Sequence, residues 1–301
     1  MEHINFGVRV ICSTYNHFSY IEKAMDGFCM QQTSFPFLCI ITEDCSTDGE
    51  QDIIKTYLTN HFIPYVDDNV KSAETDDYLF AFARHETNKN CFFAVFLFKY
   101  NHYSQKISRS RYYQKWQLFT SAKYVAMCEG DDYWMHPNKL QQQVSFLENH
   151  PDYSMSFHKC LCESGRNFYS FPSKTTLTAK DIILHHIIPT SSLVYKSCCT
   201  KHFKYFKIGF GDIPLEIQLA MRGKVYFIPQ EMSVYRDNNP TSITHTKGQG
   251  WKGLKGSVLV YYYLLKNYPF NKYSIFLAYK LFRAAILFPL NYIRLKRSGR
   301  L

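Results

Sequence analysis

Three short apolar runs, each ending in polar or acidic residues, constrain the fold of this chain more than any other feature. They are VRVICSTY at 8–15, FLCIITED at 37–44 and KYVAMC at 123–128, and stretches of helical character separate them. Apolar runs of this length are typical of strands buried on both faces of a sheet. Strands that alternate with helices predict an α/β fold whose mostly parallel sheet is flanked by helices.

The remaining segments give a less regular pattern. CFFAVFLF at 91–98 predicts a further strand, whereas the polar, turn-rich residues 61–90 predict a variable loop region with a weak strand near Ile63. Residues 212–223 predict a helix closed by glycine, and the apolar stretch after it predicts a strand pair or one bent strand.

Polar side chains follow each of the three apolar runs where the predicted strand ends. They are Thr14, Tyr15 and Asn16 after the first, Glu43, Asp44 and Asp48 after the second, and Glu129, Asp131 and Asp132 after the third. Ligands of open parallel sheets bind outside the carboxyl ends of the strands. If the strands are neighbours, the three groups converge on one crevice and form a candidate binding site.

The acids at 129–132 predict a metal ion. Three carboxylates within four residues repel one another unless a cation compensates them. Carboxylate oxygens without nearby His or Cys suit Mg²⁺ or Mn²⁺, which usually bind through one or two carboxylates together with substrate phosphates. A nucleotide diphosphate is therefore the expected ligand. The alternative is that the acids only cap the helix opened by Pro137 and interact with its dipole.

Composition bears on the compartment and the partners. The ten cysteines lie mostly in apolar, strand-like runs, and the first residues, MEHINFGVRV, lack a basic segment followed by an apolar signal core. Both observations predict a reducing cytoplasm. The net charge of +10 is concentrated late in the sequence, where eleven Lys and Arg lie between Lys247 and Arg300 and no acid follows Asp237.

Residues 241–301 combine this charge with bulky apolar groups and predict basic amphipathic helices. From Tyr273 onward the longest uncharged run, 284–293, is broken by Pro289 and is shorter than the about 20 residues that a spanning helix needs, which argues against a membrane span. Basic amphipathic helices suit the surface of an anionic membrane. We expect a peripheral location at the inner face of the cell membrane; alternatively, the apolar side packs on the rest of the protein.

Several motifs in order resemble one enzyme family. The chain is similar to family-two glycosyltransferases of the nucleotide-diphospho-sugar transferase (GT-A) fold in VRVICSTYNHFSYIEKAMDGFCMQQ, IITEDCSTDG and YVAMCEGDDYWMHPNKLQQQVSFLE. It most resembles the bacterial branch with the CEGDDYW signature, whose acceptor-side segment is similar to FGDIPLEIQLAMRGKVYFIPQEMSVYR. The matches extend over most of residues 8–236. Two residues depart from the usual motifs: Cys45 replaces a glycine-rich turn, and Glu129 replaces the commoner Asp.

The resemblance implies an inverting glycosyltransferase that moves a sugar from a nucleotide diphosphate, UDP in preference, to a hydroxyl of a glycan or lipid-linked glycan, as in capsule or lipopolysaccharide assembly. It implies that Thr14 and Tyr15 line the nucleotide pocket, with Tyr15 stacking near the base. Asp44 is expected to accept a hydrogen bond from the base edge, and Asp48 to hold the loop or the ribose.

The resemblance also assigns the chemistry. Asp131, with Asp132 or Glu129, is expected to bind the Mg²⁺ or Mn²⁺ that bridges the phosphates. Asp212 is implied to be the general base, although it would also serve as a helix N-cap, and Glu216 is the fallback.

Arg111 either faces the diphosphate or lies on a solvated helix face. By the same resemblance, residues 1–240 form the catalytic domain, with a nucleotide-binding half (1–135) and an acceptor half (136–240), and 241–301 form a helical extension.

Two other classes of function remain open. A nucleotidyltransferase uses similar acids and a metal on a similar sheet, but it normally has a glycine-rich phosphate loop, which CSTYNHF lacks. A nucleic-acid-binding protein would use the basic tail and the aromatic residues. It would leave the strand-end acids unexplained, because they repel phosphate in the absence of a metal, so we expect no nucleic-acid partner.

Overall fold

The structure, a computed structural model, describes residues 4–65, 72–107, 121–166, 170–185, 188–201, 203–204, 211–239 and 249–297. Within these ranges the strands are β1 (Val8–Thr14), β2 (Phe37–Glu43), β3 (Phe62–Pro64), β4 (Ala73–Glu74), β5 (Tyr78–His85), β6 (Cys91–Phe98), β7 (Tyr124–Met127), β8 (Tyr133–Trp134), β9 (Tyr153–Cys162), β10 (Thr176–Leu177), β11 (Val194–Lys196) and β12 (Lys224–Tyr235). The helices are α1 (Ile21–Cys29), α2 (Glu50–His61), α3 (Lys139–Asn149), α4 (Ala179–Leu184), α5 (Asp212–Ala220), α6 (Gln249–Asn267) and α7 (Ser274–Arg297).

The described strands form one twelve-stranded sheet in the order β10-β12-β9-β11-β7-β1-β2-β6-β5-β3, with β4 beside β5 and β8 beside β12. At its centre, β1 is parallel to β2 and β7, and β2 is parallel to β6. Antiparallel strands flank this centre, β5 beside β6 and β11 beside β7. The predicted α/β sheet flanked by helices is confirmed. Its central strands pair in parallel, the pairs next to them are antiparallel, and β9 and β12 further out are parallel again.

The central strands are buried on both faces, as their continuous apolar runs predict. All seven residues of β2 and all eight of β6 are buried. Alternate residues of β2 face opposite sides: Cys39 packs with α1 and α3, and Ile40 packs with the aromatic side chains of β5 and β6. Burial of each such side chain stabilises the fold by about 1.5–3 kcal/mol. Because a shift of one residue would lose this burial, it fixes the register of the strands that carry the acids.

Residues 61–90 differ from the sequence-based prediction, because they contain three strands instead of a loop with one weak strand. The longest, β5, pairs antiparallel with β6. Tyr78, Phe80 and Phe82 occupy every second position of β5 and are buried together. This alternation is the usual pattern of a half-buried strand, and the polar residues on either side of it obscured it.

The second half of the chain packs around another apolar cluster. Phe157 of β9 and Phe227 of β12 lie in this cluster together with Leu264 of α6 and Leu277 of α7. β12 is a single bent strand with register shifts against β9, one of the two arrangements that the sequence predicts. Helix α6 therefore packs on the rest of the protein. The sequence analysis gave such packing as the alternative to membrane binding for residues 241–301.

Helix α7 continues through Pro289 for 24 residues. It is long and apolar enough to cross a membrane by length and composition, and 6% of its most apolar window is buried. The expected interruption at Pro289 is therefore wrong, because the helix tolerates the loss of one backbone donor there.

Candidate active site

The carboxyl ends of β1, β2 and β7 meet at one edge of the sheet. The backbone amide of Asp44 donates to the carbonyl of Thr14 at 3.1 Å, and the amide of Gly130 donates to the carbonyl of Ser13 at 3.1 Å. A Cβ atom at Gly130 would lie 2.2 Å from Thr14 Oγ1, so the two strand ends touch in a way that only glycine permits. The predicted polar groups therefore border one shared site.

A buried carboxylate braces the first of these strand ends. Glu50 Oε1 accepts a hydrogen bond from the Thr14 hydroxyl, and Oε2 accepts from the His17 amide at 3.0 Å and the Ser46 hydroxyl at 2.9 Å. Burial raises the pKa of Glu50 to about 7. Thr14 thus belongs to the buried floor of the site, while the neighbouring Tyr15 side chain is exposed and accessible for stacking.

Asp44 and Asp48 both hold loops that border the site. The buried carboxylate of Asp44 accepts the amide protons of His102 at 2.9 Å and Tyr103 at 3.0 Å. Asp48 accepts from the Phe18 amide at 2.9 Å and, with its other oxygen, from the first amide of α2 at 3.1 Å. These bonds give each carboxylate a structural role, and their contacts with a base or a ribose stay predictions.

The three acids after β7 have different environments. Glu129 is exposed, the Asp131 side chain is 15% exposed, and Asp132 is buried. Burial, followed by the charges of Asp131 and Glu129, raises the pKa of Asp132 well above its usual range. Asp132 also accepts the Arg236 amide at 3.1 Å. Asp132 therefore faces the interior, and Asp131 is the better placed of the two neighbouring aspartates to bind a ligand.

Asp131 is held from several sides. Its Oδ2 accepts from Asn239 Nδ2 at 3.1 Å and lies 3.7 Å from His17 Nε2. Its backbone carbonyl accepts from Arg236 Nη1 at 2.7 Å. Among the described residues no hydrogen bond uses Asp131 Oδ1. One carboxylate oxygen of an otherwise fixed side chain is thus available to a ligand.

Arg236 is a site residue that the sequence analysis missed. Its guanidinium lies 4.8 Å from the ring centres of both Tyr20 and Tyr133, and its Nε donates to Glu163 Oε1 at 3.3 Å. The polar run 236–239 directly follows β12, as the acids directly follow β7. The same pattern of polar residues after a buried strand would have identified it.

Asp212 is the first residue of α5 and is partly exposed. Helix α5 leads through Gly223 into β12, the strand that Arg236 and Asn239 follow. In the described part of the chain no hydrogen bond or ion pair joins Asp212 to residues 129–132. Its role as a base stays a prediction, and the fallback Glu216 is buried within α5.

Arg111 belongs to residues 108–120, which lie outside the described ranges. Its predicted position near a diphosphate therefore has no structural counterpart among the contacts above.

A divalent cation fits this site only if a bound ligand supplies some of the coordinating oxygens. The described residues contain no group of three His, Cys, Asp or Glu side chains arranged around a metal position. Mg²⁺ and Mn²⁺ commonly use one or two carboxylates plus substrate phosphates. The free Oδ1 of Asp131 and the exposed Glu129 are suitable donors for such an open site, whereas the buried Asp132 is not.

Comparison by sequence yields relatives but no family. No protein-family profile matches the chain. Uncharacterized proteins of Mycobacterium tuberculosis and Mycobacterium bovis are 28% identical over 236 residues, which is 75% of this chain. The chain spans 58% of the length of these curated relatives.

Comparison with solved structures identifies the fold. The mannosyltransferase PcManGT from Pyrobaculum calidifontis, in complex with GDP-Man and Mn²⁺, matches 98% of this chain and 76% of its own with a TM-score of 0.58 and 14% identity. Residues 1–349 of S. aureus TarS in complex with UDP-GlcNAc match 86% of this chain and 67% of their own with a TM-score of 0.56 and 14% identity. The chain thus has a GT-A-like fold and is structurally similar to GT-A glycosyltransferases.

Proposed function

We propose that this protein is an inverting glycosyltransferase that moves a sugar from a nucleotide diphosphate, UDP in preference, to a hydroxyl of a glycan or lipid-linked glycan. The observation that carries the proposal is the convergence of Thr14, Asp44 and Asp131 at one edge of a GT-A-like sheet. Structural neighbours that match most of the chain bind UDP-GlcNAc or GDP-Man, and one of them also binds Mn²⁺.

The donor half of the site has a role for each side chain. The exposed ring of Tyr15 stacks on the base, and Asp44 and Asp48 fix the loops around it. Asp131 and Glu129 hold Mg²⁺ or Mn²⁺, which when bound supplies positive charge to the leaving diphosphate. Arg236 keeps the backbone of Asp131 in position.

The transfer is a single displacement. The acceptor oxygen forms a bond to the anomeric carbon while the bond from that carbon to the diphosphate oxygen breaks, and attack from the opposite face inverts the configuration. Asp212 takes the proton of the acceptor hydroxyl, so the products are a glycoside and a nucleoside diphosphate. Asp212 opens α5, the helix that leads into β12, and Arg236 and Asn239 after β12 contact Asp131; this connection supports the assignment.

Nucleotide binding tests the donor site without knowledge of the acceptor. The thermal unfolding of the purified chain is measured with UDP-sugars and GDP-sugars, with Mn²⁺ and with a chelator. We expect a rise in Tm with a UDP-sugar and Mn²⁺ and a smaller rise without the metal. Asp131→Asn abolishes the part of the shift that depends on the metal, whereas Asp52→Asn, at an exposed acid on α2, leaves it unchanged.

Turnover tests the reaction. Release of UDP is measured with lipid-linked and free glycan acceptors, and Asp131→Asn is expected to lower kcat by about 10²–10³-fold. A wild-type chain that no nucleotide sugar stabilises would contradict the donor site. Release of pyrophosphate in place of UDP would identify a nucleotidyltransferase.

A further inference from the structure

One face of α7 exposes large apolar side chains along its whole length. Each of them is at least 47% exposed, and steps of three or four residues separate them, so they form one continuous row on the helix. This apolar stripe consists of Ile275, Tyr279, Phe282, Ile286, Leu290 and Ile293. Contiguous exposed apolar surface of this kind marks an interaction site.

Basic side chains border the apolar stripe. Arg283 and Arg294 lie on one side of it by helical spacing, Lys296 lies on the other, and all three are exposed. Helices α6 and α7 contain no Asp or Glu. The charged side chains of these two helices are therefore all positive, which suits an anionic partner and opposes pairing with a second copy of the same helix.

The opposite face of α7 is already occupied by the protein. Leu277 is buried in the second apolar cluster, and Lys280 Nζ donates to the carbonyl of Leu184 at the end of α4 at 3.2 Å. From residue 284 to 297 no side chain is buried. This outer part of α7, residues 284–297, is about 21 Å long, and most of its side chains are exposed.

An apolar crevice of about 270 Å³ lies between α6 and this outer part of α7. It is lined by Val258, Leu259, Ala285, Phe288 and Pro289, together with Lys255. An apolar lining beside one cation is chemically suited to the hydrocarbon chain of an anionic lipid.

We propose that α6 and α7 dock this protein on the surface of a membrane that contains anionic lipid. Helix α7 lies along the interface with its apolar stripe in the acyl region, and the bordering Lys and Arg contact the headgroups. The crevice between the helices receives part of one acyl chain. This inference stands on α6 and α7 alone and does not depend on the proposed glycosyltransferase activity.

Vesicle flotation of the full chain tests the docking surface. We expect binding to vesicles of phosphatidylcholine mixed with phosphatidylglycerol, weaker binding to phosphatidylcholine alone, and partial release by high salt. Phe282→Ser and Ile286→Ser are each expected to weaken binding by about tenfold or more. Arg283→Gln and Arg294→Gln are each expected to weaken binding by about fivefold, and only to the anionic vesicles.

Ile63→Ser on β3 is the matched control, because Ile63 is 54% exposed and Ile286 is 55% exposed. We expect Ile63→Ser to bind vesicles as the unmodified chain does. Circular dichroism and the nucleotide-induced rise in Tm show that each variant is folded, so that lost docking and a lost donor site are distinguished.

Three results would overturn the proposal. The first is a folded chain that does not bind anionic vesicles, or an Ile63→Ser variant that loses binding as strongly as Ile286→Ser. The second is a chain that resists extraction from vesicles by alkaline carbonate, which would indicate a span. The third is a dimer in solution that Ile286→Ser dissociates, without vesicle binding, which would assign the stripe to self-association.

Discussion

The strand-end edge of the sheet and helix α7 depart from the usual burial pattern in opposite directions. At the edge, Asp44, Glu50, Asp132 and Arg236 are each at most 5% exposed, whereas α7 exposes its apolar stripe. Both arrangements cost folding free energy unless partners compensate for them. The buried groups at the edge have hydrogen-bond partners within the protein, while the stripe has no cover among the described residues. The hydrogen bonds at the edge are therefore formed before a ligand binds, whereas the stripe is open to an outside surface.

The largest expected effect tests whether Asp212 acts as the base of the reaction at the strand-end edge. Asp212→Asn keeps the size of the side chain but removes the base, so we expect kcat to fall by about 10²–10⁴-fold. The rise in Tm with donor and Mn²⁺ should be unchanged, because the donor site is intact. Glu231→Gln, at an exposed acid of β12, is the control. Normal turnover of the Asp212→Asn variant would show that this residue is not the base.

A second prediction examines a buried cation behind the edge. Lys139 is fully buried, donates to Gln143 Oε1 at 2.8 Å and lies 4.1 Å from the Trp134 ring. Burial lowers its pKa to about 7, whereas an unfolded lysine keeps its proton to about pH 10.4. Between these values the unfolded chain holds more protons, so the contribution of Lys139 to the free energy of unfolding rises with pH.

Lys139→Met removes this dependence. At pH 7 and below, the free energy of unfolding of the variant should exceed that of the unmodified chain by at most about 5 kcal/mol, because the variant buries no charge. The loss of the hydrogen bond to Gln143 reduces this gain by about 1–3 kcal/mol. The stability difference between variant and unmodified chain, measured by urea unfolding, should decrease steadily from pH 7 to pH 10. A difference that is constant with pH would show that Lys139 stays charged in the folded protein.

A third, smaller effect tests the close contact between β1 and β7. A Cβ at Gly130 would meet Thr14 Oγ1 at 2.2 Å and Thr14 Cβ at 2.6 Å, and Glu50 holds Thr14 in place. Gly130→Ala should cost about 1–3 kcal/mol of stability and weaken donor binding. Gly211→Ala is the control, because no atom of the described residues lies within 4 Å of a Cβ at that position. Equal effects of the two substitutions in urea unfolding would contradict a tight contact.

The smallest effect is expected on α7. Ile286→Ala should change the free energy of unfolding by no more than about 0.5 kcal/mol, because this side chain is already exposed. Leu264→Ala on α6, which is fully buried, should cost about 2–5 kcal/mol. If Ile286→Ala is as destabilising as Leu264→Ala, the stripe is covered by the protein itself and the contrast with the edge disappears.

The sequence predicts the centre of the fold well because the signal there is local. Each buried strand is a continuous apolar run followed by polar residues, and this arrangement alone brings Thr14, Asp44 and Asp131 to one edge. Strand β5 was missed because its alternating aromatic residues lie between polar segments. Local pattern thus identifies central strands more reliably than flanking ones.

The different environments of the neighbouring acids could not be predicted. Asp132 is buried and accepts a hydrogen bond from the amide of Arg236, which is 104 positions away in the sequence. Asp131 is fixed by Asn239, 108 positions away. Contacts over such separations depend on how β12 bends across the sheet, and no local pattern near residue 130 contains that information.

The hydrogen bond from Lys280 to the carbonyl of Leu184 affects how far the strand-end edge can lie from a membrane that binds α7. It joins α7 to α4, and Leu277 inserts into the same cluster as the core residues of β9 and β12. If α7 lies on a lipid surface, these contacts keep the strand-end edge of the sheet at a fixed distance from the bilayer. If the proposed transferase activity also holds, acceptors would be selected by how far their reactive hydroxyl projects from the membrane.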